Sequence, residues 1–114
     1  MYKASELELN KLLAITLERN ASDLHLIVGE PPILRIDSAL TRLEDYQVLS
    51  SDAVTDLVSI LLTPAQMENL KDKWQLDMSY SYKDNARFRV NVYRAQSVWN
   101  VAFRLIPTQI KSLE

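Results

Sequence analysis

Two stretches near the C-terminal end, Ala86 to Arg94 and Val98 to Ile106, alternate apolar and polar side chains with a period of two. That period belongs to strands, whose successive side chains point to opposite faces. Only Ala95, Gln96 and Ser97 separate the two stretches, so they pair as an antiparallel hairpin. Its register follows from the apolar residues. Setting Val90 against Phe103 brings Phe88 to Leu105, Val92 to Val101 and Arg94 to Trp99, where the guanidinium can lie over the indole. The opposite face then pairs Arg87 with Ile106, Arg89 with Arg104, Asn91 with Ala102 and Tyr93 with Asn100. A one-residue slip sets Arg89 beside Phe103 and Phe88 beside Arg104, which mixes the faces and exposes the core set.

The same segment carries an unusual charge distribution. Asn85 to Leu113 holds Arg87, Arg89, Arg94, Arg104 and Lys111 and no acidic residue, whereas the first 84 residues hold 14 acidic and 8 basic side chains. Positive charge concentrated on a rigid element suggests an anionic partner. The favoured register also sets Arg89 directly beside Arg104, and like charges opposed on a sheet are unfavourable. A local rule broken at one place often marks a functional site. Two guanidiniums on strands, with asparagine and tyrosine nearby, suit a phosphate or carboxylate. The competing explanation is a solvated strand face, where arginine and lysine discourage edge aggregation and Asp77 neutralises one of them.

Composition removes several classes of function. A length of 114 residues fits one domain with one core. The single glycine, Gly29, rules out a glycine-rich phosphate loop within this stretch, whether Walker A or a dinucleotide fingerprint. The absence of cysteine removes disulfides and thiolate metal sites. A pI near 5.4 argues against general nucleic-acid binding. No apolar run approaches the roughly 18 residues that span a bilayer. The N-terminus lacks the apolar region of a signal peptide, and these features fit a cytoplasmic protein.

The rest of the chain reads as helices and short strands. Residues 4 to 20 form an amphipathic helix with Leu9, Leu12, Leu13, Thr16 and Leu17 on one face and Asn20 as its stop. Ser22 to Val28 alternates, with Leu24, Leu26 and Val28 on one side and Asp23, His25 and Ile27 on the other. After the turn at Gly29-Glu30-Pro31-Pro32, Ile33 to Asp37 returns as a hairpin partner, and Leu40 to Leu43 adds a brief third strand. Ser50 to Asp52 caps a helix whose stripe is Val54, Leu57, Val58 and Leu61. Thr63-Pro64-Ala65-Gln66 starts another with a capping box, burying Met67, Leu70 and Trp74. Leu76 to Tyr82 alternates once more and turns at Lys83-Asp84-Asn85-Ala86. Pro107 ends the sheet, and Thr108 to Glu114 is a polar tail or linker. The order α-β-β-(β)-α-α-β-β-β, with short connections, gives an α+β fold with an antiparallel sheet and helices packed on it.

Other chemistry is thinly supported. His25 is the only histidine, so it supports neither a multi-histidine metal site nor a catalytic triad, and beside Asp23 it reads as structural. Asp23, Asp37 and Asp77 read as solvated residues rather than paired catalytic carboxylates. Trp74, Tyr80 and Tyr82 read as core or subunit contacts rather than base-stacking platforms.

Several segments resemble one family. Ala21-Ser22-Asp23-Leu24-His25-Leu26, Gly29-Glu30-Pro31-Pro32-Ile33-Leu34-Arg35-Ile36-Asp37 and Leu61-Leu62-Thr63-Pro64-Ala65-Gln66 are similar to the opening of the twitching-motility ATPases, PilT and its relatives. Arg87-Phe88-Arg89-Val90-Asn91-Val92-Tyr93, Ala102-Phe103-Arg104-Leu105-Ile106-Pro107 and Ile110-Lys111-Ser112-Leu113-Glu114 continue the match over nearly the whole chain.

The resemblance implies a PAS-like N-terminal domain over residues 1–107, with 108–114 opening a linker to a RecA-like motor domain. The parent is then a hexameric type IV pilus retraction ATPase using ATP and magnesium, and the domain alone binds neither. It packs on motor domains of its own and a neighbouring subunit. The implied location is cytoplasmic, at the inner-membrane platform of the pilus, with no role for nucleic acid. The implied catalytic and nucleotide-binding residues are Arg89 and Arg104 as arginine fingers, with Arg87 as a further phosphate contact. Two departures stand out: Ser38 where relatives commonly have glycine, and Ser97-Val98 where they often have Arg-Gly. A PilU-like paralogue, an assembly or secretion ATPase of the GspE/PilB kind and a free-standing PAS-like sensory or interaction module are the alternative readings.

Overall fold

In the computed structural model of the chain, residues 4–82, 86–95 and 97–106 are described. The turn expected at Lys83-Asp84-Asn85, the stop at Pro107 and the linker at 108–114 lie outside them. Helix α1 (Ala4–Glu18) leads into strands β1 (Asp23–Leu26), β2 (Ile33–Ile36) and β3 (Ala39–Arg42). Helices α2 (Ser51–Leu61) and α3 (Pro64–Lys73) follow, and then β4 (Gln75–Tyr82), β5 (Ala86–Ala95) and β6 (Val98–Ile106). The strands make one antiparallel sheet of six in the order β3-β2-β1-β6-β5-β4. Two three-stranded meanders are thus joined edge to edge through β1 and β6, the first and last strands to meet. The α+β expectation is met, including the third short strand.

One face of the sheet is apolar and covered by the helices. Leu24, Leu26, Leu34, Phe88, Val90, Val92, Val101 and Phe103 line it and are fully buried. They meet Leu9, Leu12 and Leu13 from α1, and Val54, Leu57, Val58 and Leu61 from α2. Phe88 and Phe103 pack edge to face, with centroids 6.1 Å apart and planes at 89°, a favoured quadrupole geometry. The α2 stripe is buried as its spacing requires. Thr16 enters the core by donating its hydroxyl to the Leu12 carbonyl at 2.7 Å.

The helix starts obey their signals. Ser50 Oγ accepts from the Ala53 amide at 3.1 Å. Thr63 Oγ1 accepts from Gln66 N at 3.2 Å while Gln66 Oε1 accepts from Thr63 N at 2.9 Å, completing the capping box. Asn20 adopts φ 56° just past α1, as expected of its stop.

The exit of α3 differs from the reading of its stripe. Trp74, expected on the buried face, is 61% exposed. The helix ends one residue earlier, and Trp74 takes left-handed geometry (φ 65°) with its amide on the Leu70 carbonyl. The indole is thereby swung away from the core to lie over Arg94, whose guanidinium carbon is 5.6 Å from it. Trp99 flanks the same guanidinium at 5.4 Å, the contact expected from the hairpin register.

Left-handed backbone also occurs at both turns where the chain departs from the family pattern. Ile36 pairs with Ala39, so Asp37 and Ser38 form a two-residue loop with φ 52° and 71°. Ala95 pairs with Val98, and Ser97 has φ 69°. Glycine adopts such angles without steric cost, whereas serine here is strained by about 1 kcal/mol.

Candidate functional site

The face of the sheet opposite the helices is open, and strand registers fix what it displays. The β5–β6 hairpin takes the expected register, with Val90 on Phe103 and Arg89 on Arg104. On the neighbouring strands, Ser79 pairs with Arg89, Asp23 with Arg104, and Arg35 with Asp23. One row across the open face therefore runs Arg35, Asp23, Arg104, Arg89, Ser79. The next row runs Ile33, His25, Ala102, Asn91, Asp77. Between them lies a shallow depression of about 200 Å³ lined by Asp23, His25, Asp77, Arg89, Asn91, Ala102 and Arg104.

The two arginines are adjacent but not equivalent. Arg104 donates through Nε to Asp23 Oδ2 at 3.1 Å, while its side chain stays 72% exposed. Among the described residues the Arg89 side chain makes no hydrogen bond or ion pair. Arg87 sits on the same face one row away, opposite Ile106, with its Nη2 3.5 Å from Ser79 Oγ. It does not line the depression.

Asp23 is a correction to the sequence reading, which left it solvated. Its residue is 5% exposed because β1 is an interior strand, flanked on this face by the side chains of Arg35 and Arg104. Ser22 Oγ donates to Asp23 Oδ1 at 2.6 Å. Burial pushes this carboxyl up, but the Ser22 hydrogen bond and the bond and charge of Arg104 outweigh it, and the group is held below its ordinary 3.8. The competing reading had Asp77 neutralise an arginine; in the structure it accepts from Asn91 Nδ2 at 3.2 Å. Asp23 and Asp77 do converge on one depression, whereas Asp37 sits in the β2–β3 turn.

His25 faces the same depression, half-buried. Burial lowers its pKa from 6.5; Asp23 works against that, and Arg35 and Arg104 add to it. A neutral imidazole at pH 7 leaves the positive charge of the site to its guanidiniums. Asn100, expected on the polar face, is 4% exposed there, and its Oδ1 accepts from the Val28 amide at 2.9 Å. It ties the turn after β1 to β6 and is structural. Among the described residues no group of three or more His, Cys, Asp or Glu is placed to hold a metal ion. No helix among them is long and apolar enough to cross a membrane.

An open sheet face with opposed, unevenly paired arginines is a surface suited to an anion carried by a partner. No family model matches the chain. Sequence relatives do: the type IV pilus retraction ATPase PilT of Pseudomonas aeruginosa is 30% identical over 108 residues, covering 95% of this chain and 31% of that protein. The type IV pilus ATPase PilU of the same organism is 24% identical over 95% of this chain and 28% of its own length. Among solved structures, the pilus retraction motor PilT with bound ADP superposes with a TM-score of 0.81 at 28% identity, over 96% of this chain and 31% of that one. The Legionella pneumophila ATPase DotB gives a TM-score of 0.74 at 24% identity, over 90% of this chain and 29% of that one, a likeness of fold. The chain is a PilT-like N-terminal domain, homologous to the N-terminal region of the pilus retraction ATPases. It spans about a third of the length of these relatives.

Proposed function

We propose that this chain serves as the N-terminal domain of a hexameric, cytoplasmic type IV pilus retraction ATPase at the inner-membrane base of the pilus. Residues 1–107 form the domain, and 108–114 begin the linker to a RecA-like motor region that binds ATP and magnesium. The open sheet face meets motor domains of the same and a neighbouring subunit. Arg89 and Arg104 supply positive charge to the nucleotide phosphates, and Arg87, one row away, is a peripheral contact.

The observation that carries this reading is the Arg89–Arg104 pair: two arginines directly paired on neighbouring strands, on the face opposite the described helices. Phosphoryl transfer spreads negative charge over the equatorial oxygens in its transition state, and fixed cations stabilise that charge. Guanidiniums offer planar donor forks that match phosphate oxygens, which an ammonium does not. The PilT structure whose fold this chain shares contains ADP, so its nucleotide chemistry is the natural anion source.

Two experiments test the reading. Translation of the gene past Glu114 should reveal G-x-x-x-x-G-K-[ST], the phosphate-cradling loop, within roughly 50 residues; a stop codon in its place favours a free-standing module. In the full-length protein, Arg89→Ala and Arg104→Ala should lower turnover roughly 100-fold or more, with far smaller effects on nucleotide binding. Near-normal turnover in both variants removes the arginine-finger role.

A further inference from the structure

The two arginines differ in what holds them, and that difference assigns a role to Asp23. The carboxylate is fixed on both of its oxygens. Oδ1 takes the Ser22 hydroxyl at 2.6 Å and Oδ2 takes Arg104 Nε at 3.1 Å. Its side chain is 6% exposed, and its backbone lies in an interior strand paired on both sides. An anchor of this kind has little freedom to move.

The atom it grips matters as much. A guanidinium presents one donor edge through Nε and one Nη, and another through its two terminal nitrogens. Asp23 occupies Nε, and among the described residues the two terminal nitrogens take no hydrogen-bond partner, on a side chain 72% exposed. Across the hairpin, Arg89 has neither a carboxylate nor a hydrogen-bond partner among the described residues.

We propose that Asp23 is a positioning residue: with Ser22 behind it, it locks Arg104 so that the terminal N–H fork stands open to an incoming phosphate group, while Arg89 remains free to close on the same group. This rests on the phosphate-contacting reading above and divides its labour. Arg104 is preorganised, so its donors need no reorganisation when charge develops. Arg89 is ordered only when the anion arrives. A carboxylate that merely shielded the face would act in the opposite sense, weakening phosphate attraction without aiding turnover.

The test separates these roles. In the full-length ATPase, Asp23→Asn should lower kcat about tenfold through loosened geometry, with KM for ATP unchanged or lower, because a negative charge has left the face. Ser22→Ala, an exposed and gentler change, should lower kcat by about two- to threefold by freeing the carboxylate. In the 114-residue chain, the Arg104 Nε–H should be as ordered as the backbone by ¹⁵N relaxation. It should become as mobile as that of Arg89 in Asp23→Asn. A wild-type kcat for Asp23→Asn beside a slow Arg104→Ala overturns the positioning role and leaves the phosphate reading standing. Normal turnover of Arg104→Ala overturns both. An Arg104 Nε–H already as mobile as that of Arg89 in the parent chain overturns the lock itself.

Discussion

On the covered face of the sheet Phe88 and Phe103 meet edge to face, fully buried; on the open face, one residue along each strand, Arg89 and Arg104 meet with like charge. The same register produces both pairs. The first contributes packing and area removed from water. The second adds repulsion that a sheet built for stability alone would avoid. The fold thus tolerates a local penalty on the face proposed above to meet a partner, and offsets it with the core behind. Natural proteins commonly trade stability for function in this way.

The comparison is broken most forcefully from the covered side. Phe103→Ala opens a cavity under the sheet and should cost about 3–5 kcal/mol, enough to unfold a marginal domain, as thermal or urea melts would show. A loss below about 1 kcal/mol would mean the covered face is not the source of stability.

Arg104→Ala lies next door and should cost roughly 1–2 kcal/mol, because it strips Asp23 Oδ2 of its partner in a buried setting. Urea midpoints of the 114-residue chain would measure it.

Acid should act on the open face in two stages. The His25 imidazole, pushed down chiefly by burial, is protonated more readily in the unfolded chain, so stability begins to fall below about pH 6.5. The Asp23 carboxylate, held below 3.8, contributes stability that is full above that value and lost as pH falls through its lower folded value. Asp23→Asn should abolish the second stage and deepen the first, because the charge that opposes burial at His25 is gone, as a series of urea midpoints against pH would show.

The smallest effect has the opposite sign. Arg89→Ala removes the repulsion from Arg104 and should stabilise the isolated domain by about 0.2–1 kcal/mol. A destabilisation of that size would show that Arg89 has a structural partner.

Much of this was legible in the chain because period-two alternation fixes faces, and one apolar pairing then fixes a whole register. Arg89 beside Arg104 followed from Val90 beside Phe103, with Arg94 over Trp99 as its corollary. The α2 stripe and the Thr63 capping box were equally local signals. What escaped was long-range. Alternation placed Asp23 opposite Leu24 and Leu26, but not between Arg35 and Arg104, because docking of β1 on β6 joins residues some 80 positions apart. Burial of Asp23 and of Asn100 follows from that docking alone. Trp74 escaped for a different reason: its spacing continued the α3 stripe, but the backbone turned left-handed there and carried the indole out to Arg94. The acid-free charge of the hairpin, read as an unbalanced patch, proved to be partly balanced by Asp23, with the Arg89 side chain left without a hydrogen-bond or ion-pair partner among the described residues.

On the reading proposed above, the open face keeps Arg89 for phosphate chemistry and not for the fold. Steady-state ATP turnover of full-length Arg89→Ala, measured beside the wild type, tests it most directly. Its kcat should be lower by roughly 100-fold or more, in a variant whose domain melts no earlier than the parent. Turnover within a few-fold of wild type would contradict it.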